Sequence, residues 1–524
     1  LTSKEILSGE IQTPKYRALY LDALLKQSER MQYDRDSDFK KIVRDVRNVS
    51  DADYEVPQSL QPVLRNYQKT GYRWLRTIAA YGFGGILADD MGLGKTLQVL
   101  ALLLAQKNEQ SEKTISIVIC PSSLILNWQS EADKFAGELH VECVTGTAPV
   151  REYIIKTSME TDLIITSYEL LKRDIELYSE MNFKYVIADE AQYMKNQNTQ
   201  NAKAVKTLNA EVRLALTGTP VENSLAEVWS VFDFLMPGYL YHYAKFRKNY
   251  EVPIVKEGDE VATKNLRKMV SPFILRRMKT DVLKELPAKI ETVLYAQLED
   301  EQKKVYIANA AAAKKELQMN MGNNGSDKMQ ILAMLTRLRQ ICCDPSLVYE
   351  NYEGGSAKLE ACMELVQNCI ESSHRILLFS QFTSMLSIIA KRLDDEKIPY
   401  YTITGQTPVS QRLALVNDFN DGDIPIFLIS LKAGGTGLNL TGADVVIHYD
   451  PWWNSSAQNQ ASDRAHRIGQ TKTVQVYKLI VKDTLEEHIL EMQKNKADLA
   501  DMIVQGGDGG FAKMSKDEIL ALFE

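Results

Sequence analysis

The amino-acid sequence predicts an α/β protein with two parallel-sheet domains and a helical region between them. Three observations predict it. Short apolar segments alternate with helical patterns over residues 64–222, the alternation recurs over 356–482, and between about 224 and 350 the strand signal fades. Short β runs spaced by helices mark parallel sheets, because a parallel crossover needs a helix-sized connection. At 524 residues the chain is also too long for one ordinary core, which fits a division into several folding units.

Residues 1–60 are charged and mixed, with helical stretches at Tyr16–Lys26 and Phe39–Arg47, and Pro57 and Pro62 punctuate the approach to the first domain. That domain, 61–223, has strands at Gly85–Ala88, Ile115–Cys120, Leu163–Ser167, Tyr185–Asp189 and Leu214–Thr217. The region 224–350 reads as helices carrying Tyr239–Tyr243, the basic stretch Arg276–Lys279 and the run Asp300–Met319, with a polar loop at Asn320–Asp327. Gly354 and Gly355 open the second domain, 351–483, with strands Ile376–Ser380, Tyr400–Ile403, Ile424–Ser430, Val445–Tyr449 and Val474–Leu479. The segment 484–524 reads as a helix until Gly506–Gly510 breaks it.

Composition excludes some classes. No run approaches the roughly 18 apolar residues of a membrane span. Six cysteines without a CxxC pair and six dispersed histidines argue against a disulfide framework or a zinc site and for reduced thiols. The net charge of −7 and pI near 5.7 argue mildly against a nucleic-acid binder, yet a basic groove can lie on an acidic body. The N-terminus lacks the apolar stretch of a signal peptide, and a chain opening on Leu1 reads as a portion of a longer protein.

The strongest local signal is Asp89-Asp90-Met91-Gly92-Leu93-Gly94-Lys95-Thr96, after a strand and before the helix Leu97–Gln106. Triphosphate binding needs glycines for close backbone approach, a helix N-terminus, a lysine for the β- and γ-phosphates and a hydroxyl for Mg²⁺. Residues Asp90–Leu97 are therefore the expected ATP contacts, with Lys95 on the phosphates and Thr96 on the metal. The strict pattern has glycine where Asp89 stands. A second apolar strand ends in Asp189-Glu190-Ala191-Gln192, which assigns Asp189 to Mg²⁺ and Glu190 to activation of the attacking water. Leu216-Thr217-Gly218-Thr219-Pro220 is either a γ-phosphate sensor or a simple turn. Gln460–Gln470 holds Arg464 and Arg467. On a helix these share a face, as arginine fingers or as an exposed basic strip.

Together these motifs resemble the Swi/Snf family, the duplex-translocating branch of the superfamily-two helicases, from about Leu64 to Asp498. The resemblance implies two RecA-like lobes with helical protrusions, which Ser271–Arg277 and Leu338–Pro345 are similar to. It implies adenine recognition through Gln68 in Leu64–Gln68 and a further nucleotide contact at Gly437. It implies DNA contacts in the first lobe at Ser122, Asn127, Trp128, Thr166, Ser167 and Tyr168. In the second lobe the implied contacts are Ser380, Gln381, Gly405, Thr407, Ser430, Lys432, Gly434 and Trp452, while Trp453 reads more as an interface plug. Gln192 stands where many remodellers have histidine, a form associated with bacterial members. The implied function is a DNA-dependent ATPase translocating on double-stranded DNA, with a DNA-bound protein as possible cargo; no membrane partner is expected, and the oligomeric state is open with a monomer favoured. Its place would be the bacterial cytoplasm beside the nucleoid, or a nucleus. A strand-separating helicase and a catalytically silent ATP-gated clamp are the alternative readings.

Overall fold

The computed structural model describes residues 13–26, 34–49, 52–109, 113–194, 196–218, 225–283, 285–320, 326–431, 438–453 and 455–493. The chain divides into two units, Leu1–Lys284 and Glu285–Glu524. The first holds strands β1 (Gly85–Leu87), β2 (Ile115–Cys120), β3 (Val141–Cys143), β4 (Leu163–Ser167), β5 (Asn182–Asp189), β6 (Asn209–Leu216) and β7 (Ile274–Leu275). They form one sheet in the order β3-β4-β2-β5-β6-β1-β7, with parallel pairings. β1 and β4 are buried along their whole length, as strands covered on both faces must be, and this explains their unbroken apolar sequences. Helix Lys95–Glu109 buries every residue from Leu97 to Ala105. A helix apolar on all sides belongs inside a domain.

The second unit holds β8 (Lys289–Ala296), β9 (Ile376–Ser380), β10 (Tyr400–Ile403), β11 (Ile426–Ser430), β12 (Val445–His448) and β13 (Val474–Val481). Their order is β10-β11-β9-β12-β13-β8, again with parallel pairings. Strand alternation divides the side chains between two cores. Ile376, Leu378, Ile426, Leu428, Val445 and Ile447 pack on one face, and Leu377, Phe379, Phe427, Ile429 and Val446 on the other. A third cluster joins helices Asp300–Asn320 and Ser326–Cys343, through Ala310, Ala313, Leu335 and Leu338, to Leu485 and Ile489. Among the described residues, no helix is long and apolar enough to cross a membrane.

The α/β reading with two parallel sheets holds, with three corrections. The region 224–350 is not uniformly helical, since it contains β7 and β8. Nor is it an independent insert: its first part lies in unit one, and β8 pairs with β13 as the edge of the second sheet. The second domain therefore starts near Glu285, not at 351. β8 is exposed or half-buried except at Ala296, and its apolar run is confined to Val293–Ala296, too short to stand out from the helices around it. The third correction concerns the two arginines. The helix ends at Ser462, and i→i+3 bonds from Arg464 N to Ala461 O and Ala465 N to Ser462 O turn the chain before Gly469, at φ 106°. Arg464 and Arg467 therefore do not share a helical face.

Candidate nucleotide site and nucleic-acid contacts

β1 delivers the chain into the loop Asp89–Gly94, where Gly92 and Gly94 sit at φ 83° and 73°. Side chains rarely adopt this region, so the two glycines let successive backbone N–H groups turn toward one point at the helix start. Lys95 Nζ bonds the loop's own carbonyl at Asp89, at 2.7 Å. Thr96 is partly exposed at the first turn, and Asp90 accepts from Lys279 N at 3.0 Å. The side chains of Leu93 and Leu97 are in the core, so any ligand contact from them is through backbone. Gln68 is buried, accepting from Arg65 N at 2.9 Å and donating to Leu93 O at 3.0 Å. It braces the loop from within, as does Tyr67, whose hydroxyl donates to the same carbonyl at 3.0 Å.

β1 lies between β7 and β6, and β6 leads directly into Thr217; β5 lies beyond β6 and ends in Asp189. The acid is thus not on the adjacent strand, and the threonine stands between it and the loop. Gln192 spans the gap: its amide donates to Glu190 Oε2 at 2.8 Å and accepts from Thr217 Oγ1 at 3.2 Å. Glu190 has φ 50°, a conformation an ordinary residue holds only when its surroundings impose it. Thr219 and Pro220 lie outside the described residues.

Asp189 is buried, with Oδ1 accepting from Glu190 N at 2.9 Å and Oδ2 from the Trp128 indole at 2.8 Å. Burial, followed by the neighbouring Glu190 charge, pushes its carboxyl up to about 7, while the Trp128 bond and Lys95 oppose the rise. A desolvated carboxylate of this kind fits a divalent cation, whose charge would offset both effects. Thr96 and Asp189 are the residues that would hold Mg²⁺.

Several expected DNA contacts are corrected by burial. Trp128 is fully buried on Asp189. Thr166, Ser167 and Tyr168 are also internal: Ser167 caps the next helix by accepting from Leu170 N, and Tyr168 donates to Asp189 O at 2.8 Å. Helical spacing carried the Trp128 signal, because Ile125, Trp128 and Ala132 form the buried face of their helix. Ser122 is exposed, and Asn127 is half-buried with its amide on Glu131.

In the second unit Ser380 is buried and donates to Asp450 Oδ1 at 2.6 Å, so its hydroxyl is no surface grip. Ser430 is buried as well. Gln381 accepts from Arg339 at 3.0 Å. The Arg339 guanidinium lies over Phe382 and Trp453, 5.7 Å from each ring centre. Trp453 packs on the helical cluster, and Trp452 is half-buried against the second sheet. Gly405 is exposed and Thr407 partly so. Arg464 is buried, whereas Arg467 is half-buried, donating to Leu438 O at 3.4 Å. Lys432, Gly434 and Gly437 lie outside the described residues.

A phosphate loop, a strand leading into a threonine and an acid-ended strand in one parallel sheet, with a second parallel sheet later in the same chain, define a helicase-type P-loop ATPase. The chain belongs to the SNF2 family: residues 67–347 match the SNF2-related domain, and 357–469 match the helicase conserved C-terminal domain. Residues 1–57 match the domain described as bacterial SNF2 helicase associated. An uncharacterized ATP-dependent helicase of Mycoplasma genitalium is 40% identical over 466 residues, covering 88% of this chain and 44% of that protein. The TATA-binding protein-associated factor MOT1 of Saccharomyces cerevisiae is 35% identical over 540 residues, covering 90% of this chain and 29% of that protein. The chain thus spans less than half of either relative. The solved SWI2/SNF2 ATPase core of Sulfolobus solfataricus in complex with dsDNA is 36% identical, covering 89% of this chain and 98% of that one, with a TM-score of 0.45.

Proposed function

We propose that this chain hydrolyses ATP in response to double-stranded DNA and moves along the duplex, displacing or remodelling bound protein without obligatory strand separation. The observation that carries the reading is the series of strand ends: phosphate loop, Thr217 and buried Asp189, in a chain of the SNF2 family. The enzyme would act as a monomer where the DNA is, which for a bacterial source is the cytoplasm.

In this reading Lys95 exchanges its loop carbonyl for the β- and γ-phosphates, and Thr96 and Asp189 hold Mg²⁺. Mg²⁺ held there would supply neutralisation of the charge developing on the phosphates. Glu190, with Oε2 fixed by Gln192, takes the proton of the attacking water on Oε1. Arg467, less buried than Arg464, is the stronger candidate for the transition-state cation. Ser122, Gly405 and Thr407 are the surface positions suited to phosphate contacts that do not read bases.

The test is the ATPase rate with duplex DNA, single-stranded DNA, duplex RNA and no nucleic acid. Duplex DNA should stimulate most, and rising salt should erode the effect as phosphate contacts release counterions. Equal stimulation by duplex RNA, or none by any nucleic acid, would sink the proposal.

A further inference from the structure

The phosphate loop begins with an acid where the strict pattern has glycine, and Asp89 is fully buried. A buried carboxylate requires a partner. That partner is Arg277, whose Nε donates to Oδ1 at 2.8 Å while a terminal nitrogen reaches Oδ2. Gln98 donates to the same Oδ2 at 3.2 Å and accepts from Arg277 at 2.8 Å. Arg277 also reaches the carbonyl of Tyr67 and lies 5.2 Å from the centre of its ring. Backbone bonds take the same path, from Ala88 N to Leu275 O at 2.7 Å and from Asp90 N to Arg277 O at 3.1 Å. The network leaves no room at Gly71: a Cβ there would lie 1.9 Å from Gln98 Oε1 and 2.6 Å from an Arg277 nitrogen.

We propose that Arg277 is the positioning residue of the phosphate loop. Through Asp89 and Gln98 it fixes the loop in its phosphate-receiving shape, and it ties nucleotide affinity to the segment by which the chain leaves the first unit. The inference rests on reading Asp89–Thr96 as the phosphate loop. A loop with two glycines is conformationally permissive, so its preorganisation must come from neighbours; otherwise the ordering cost falls on binding. Arginine suits the task because its planar fork meets both carboxylate oxygens while its remaining donors reach Gln98 and the Tyr67 carbonyl, a spread that the single nitrogen of a lysine ammonium cannot cover.

The test is titration of the whole chain with fluorescent mant-ADP and Mg²⁺, with thermal unfolding measured alongside. Arg277→Lys keeps the charge and loses the fork. Asp89→Asn combined with Arg277→Gln removes both charges, so neither is stranded. Both should fold and bind mant-ADP roughly tenfold more weakly, the scale on which lost supporting contacts weaken a ligand site. Gly71→Ala should act in the same direction. Arg151→Lys disturbs another buried pair of the unit, with Asp174 at 2.6 Å, and should lower the unfolding temperature while sparing mant-ADP affinity. Wild-type affinity in the folded latch variants overturns the proposal, as does an equal loss in Arg151→Lys. Failure of the unaltered chain to bind mant-ADP overturns the phosphate-loop reading and the latch with it.

Discussion

An indole N–H on a buried carboxylate separates two roles for Trp128. As a DNA contact its loss would weaken duplex binding; as the donor to Asp189 at 2.8 Å its loss should weaken the metal site. Trp128→Phe keeps an aromatic ring and removes a hydrogen bond to a charged group, on the order of 1.5–3 kcal/mol. We expect a higher Mg²⁺ requirement in ATPase assays and unchanged duplex binding without nucleotide; the opposite pattern would restore the DNA role. A second buried group gives a pH prediction. Burial first, then Lys478 and Lys289 outweighing Glu291, lower the His448 imidazole from 6.5 to about 3. Between those values the unfolded chain binds a proton that the folded chain refuses. Stability should therefore fall as pH drops through this window, by up to about 1.4 kcal/mol per unit. The ring bonds Ser462 Oγ at 2.8 Å, a contact an amide can keep, so His448→Gln should flatten the slope in denaturant unfolding between pH 7 and about pH 5. An unchanged slope would assign the acid sensitivity to other groups. The places of Lys95 at a helix start and Asp189 at a strand end were legible in sequence because loop and strand-tip patterns are local. The bond from Trp128 to Asp189 and the burial of Ser380 on Asp450 were not, since they depend on partners 61 and 70 residues away.

Elements were legible where a compact apolar or aromatic run is bounded by polar residues, which includes the half-buried edge strand β10. β2, β4, β9 and β10 have the bounds the apolar runs predict, whereas β3, β7 and β8 passed unread, being short or exposed at sheet edges. Edge strands need less apolar sequence and are often charged. The helix from Leu485 to Gln493 shows how a terminal element is fastened. Lys358 and Glu486 are both fully buried and paired at 2.6 Å, and Glu486 also accepts from Val481 N at 2.9 Å. Lys358→Met strands a buried carboxylate and should cost about 3–5 kcal/mol. Lys358→Met with Glu486→Gln removes both charges, keeps an acceptor for Val481, and should recover most of that loss. Equal unfolding free energies for the single and double variants would show that the pair is not coupled.

At the scale of the whole molecule, the proposed function asks how turnover would become movement, and Trp452 is the residue on which that question turns. Its place after Asp450-Pro451 resembles a duplex-facing segment, so the sequence favoured a DNA contact. Its ring instead packs against the cluster containing Leu431, Leu438, Ala461 and Ala465, and its carbonyl accepts from Gln493. Leu431 and Leu438 lie on either side of residues 432–437 in the sequence, and Ala461 and Ala465 adjoin the turn carrying Arg464 and Arg467. A ring so placed supports the elements proposed for catalysis and for DNA contact together. Trp452→Ala should then lower stability by roughly 1–3 kcal/mol, less than a fully buried aromatic, and reduce duplex-stimulated ATPase and triplex-strand displacement in the same proportion. Trp452→Phe should restore both. Arg467→Ala offers the contrast, since removing a transition-state cation typically slows turnover by ~10³–10⁵ with little change in nucleotide affinity or in stability. The deciding quantity is strand displaced per ATP consumed. A ratio unchanged in Trp452→Ala makes the residue a support of the motor, whereas a collapsed ratio with ATPase intact makes it the contact that transmits turnover to the duplex.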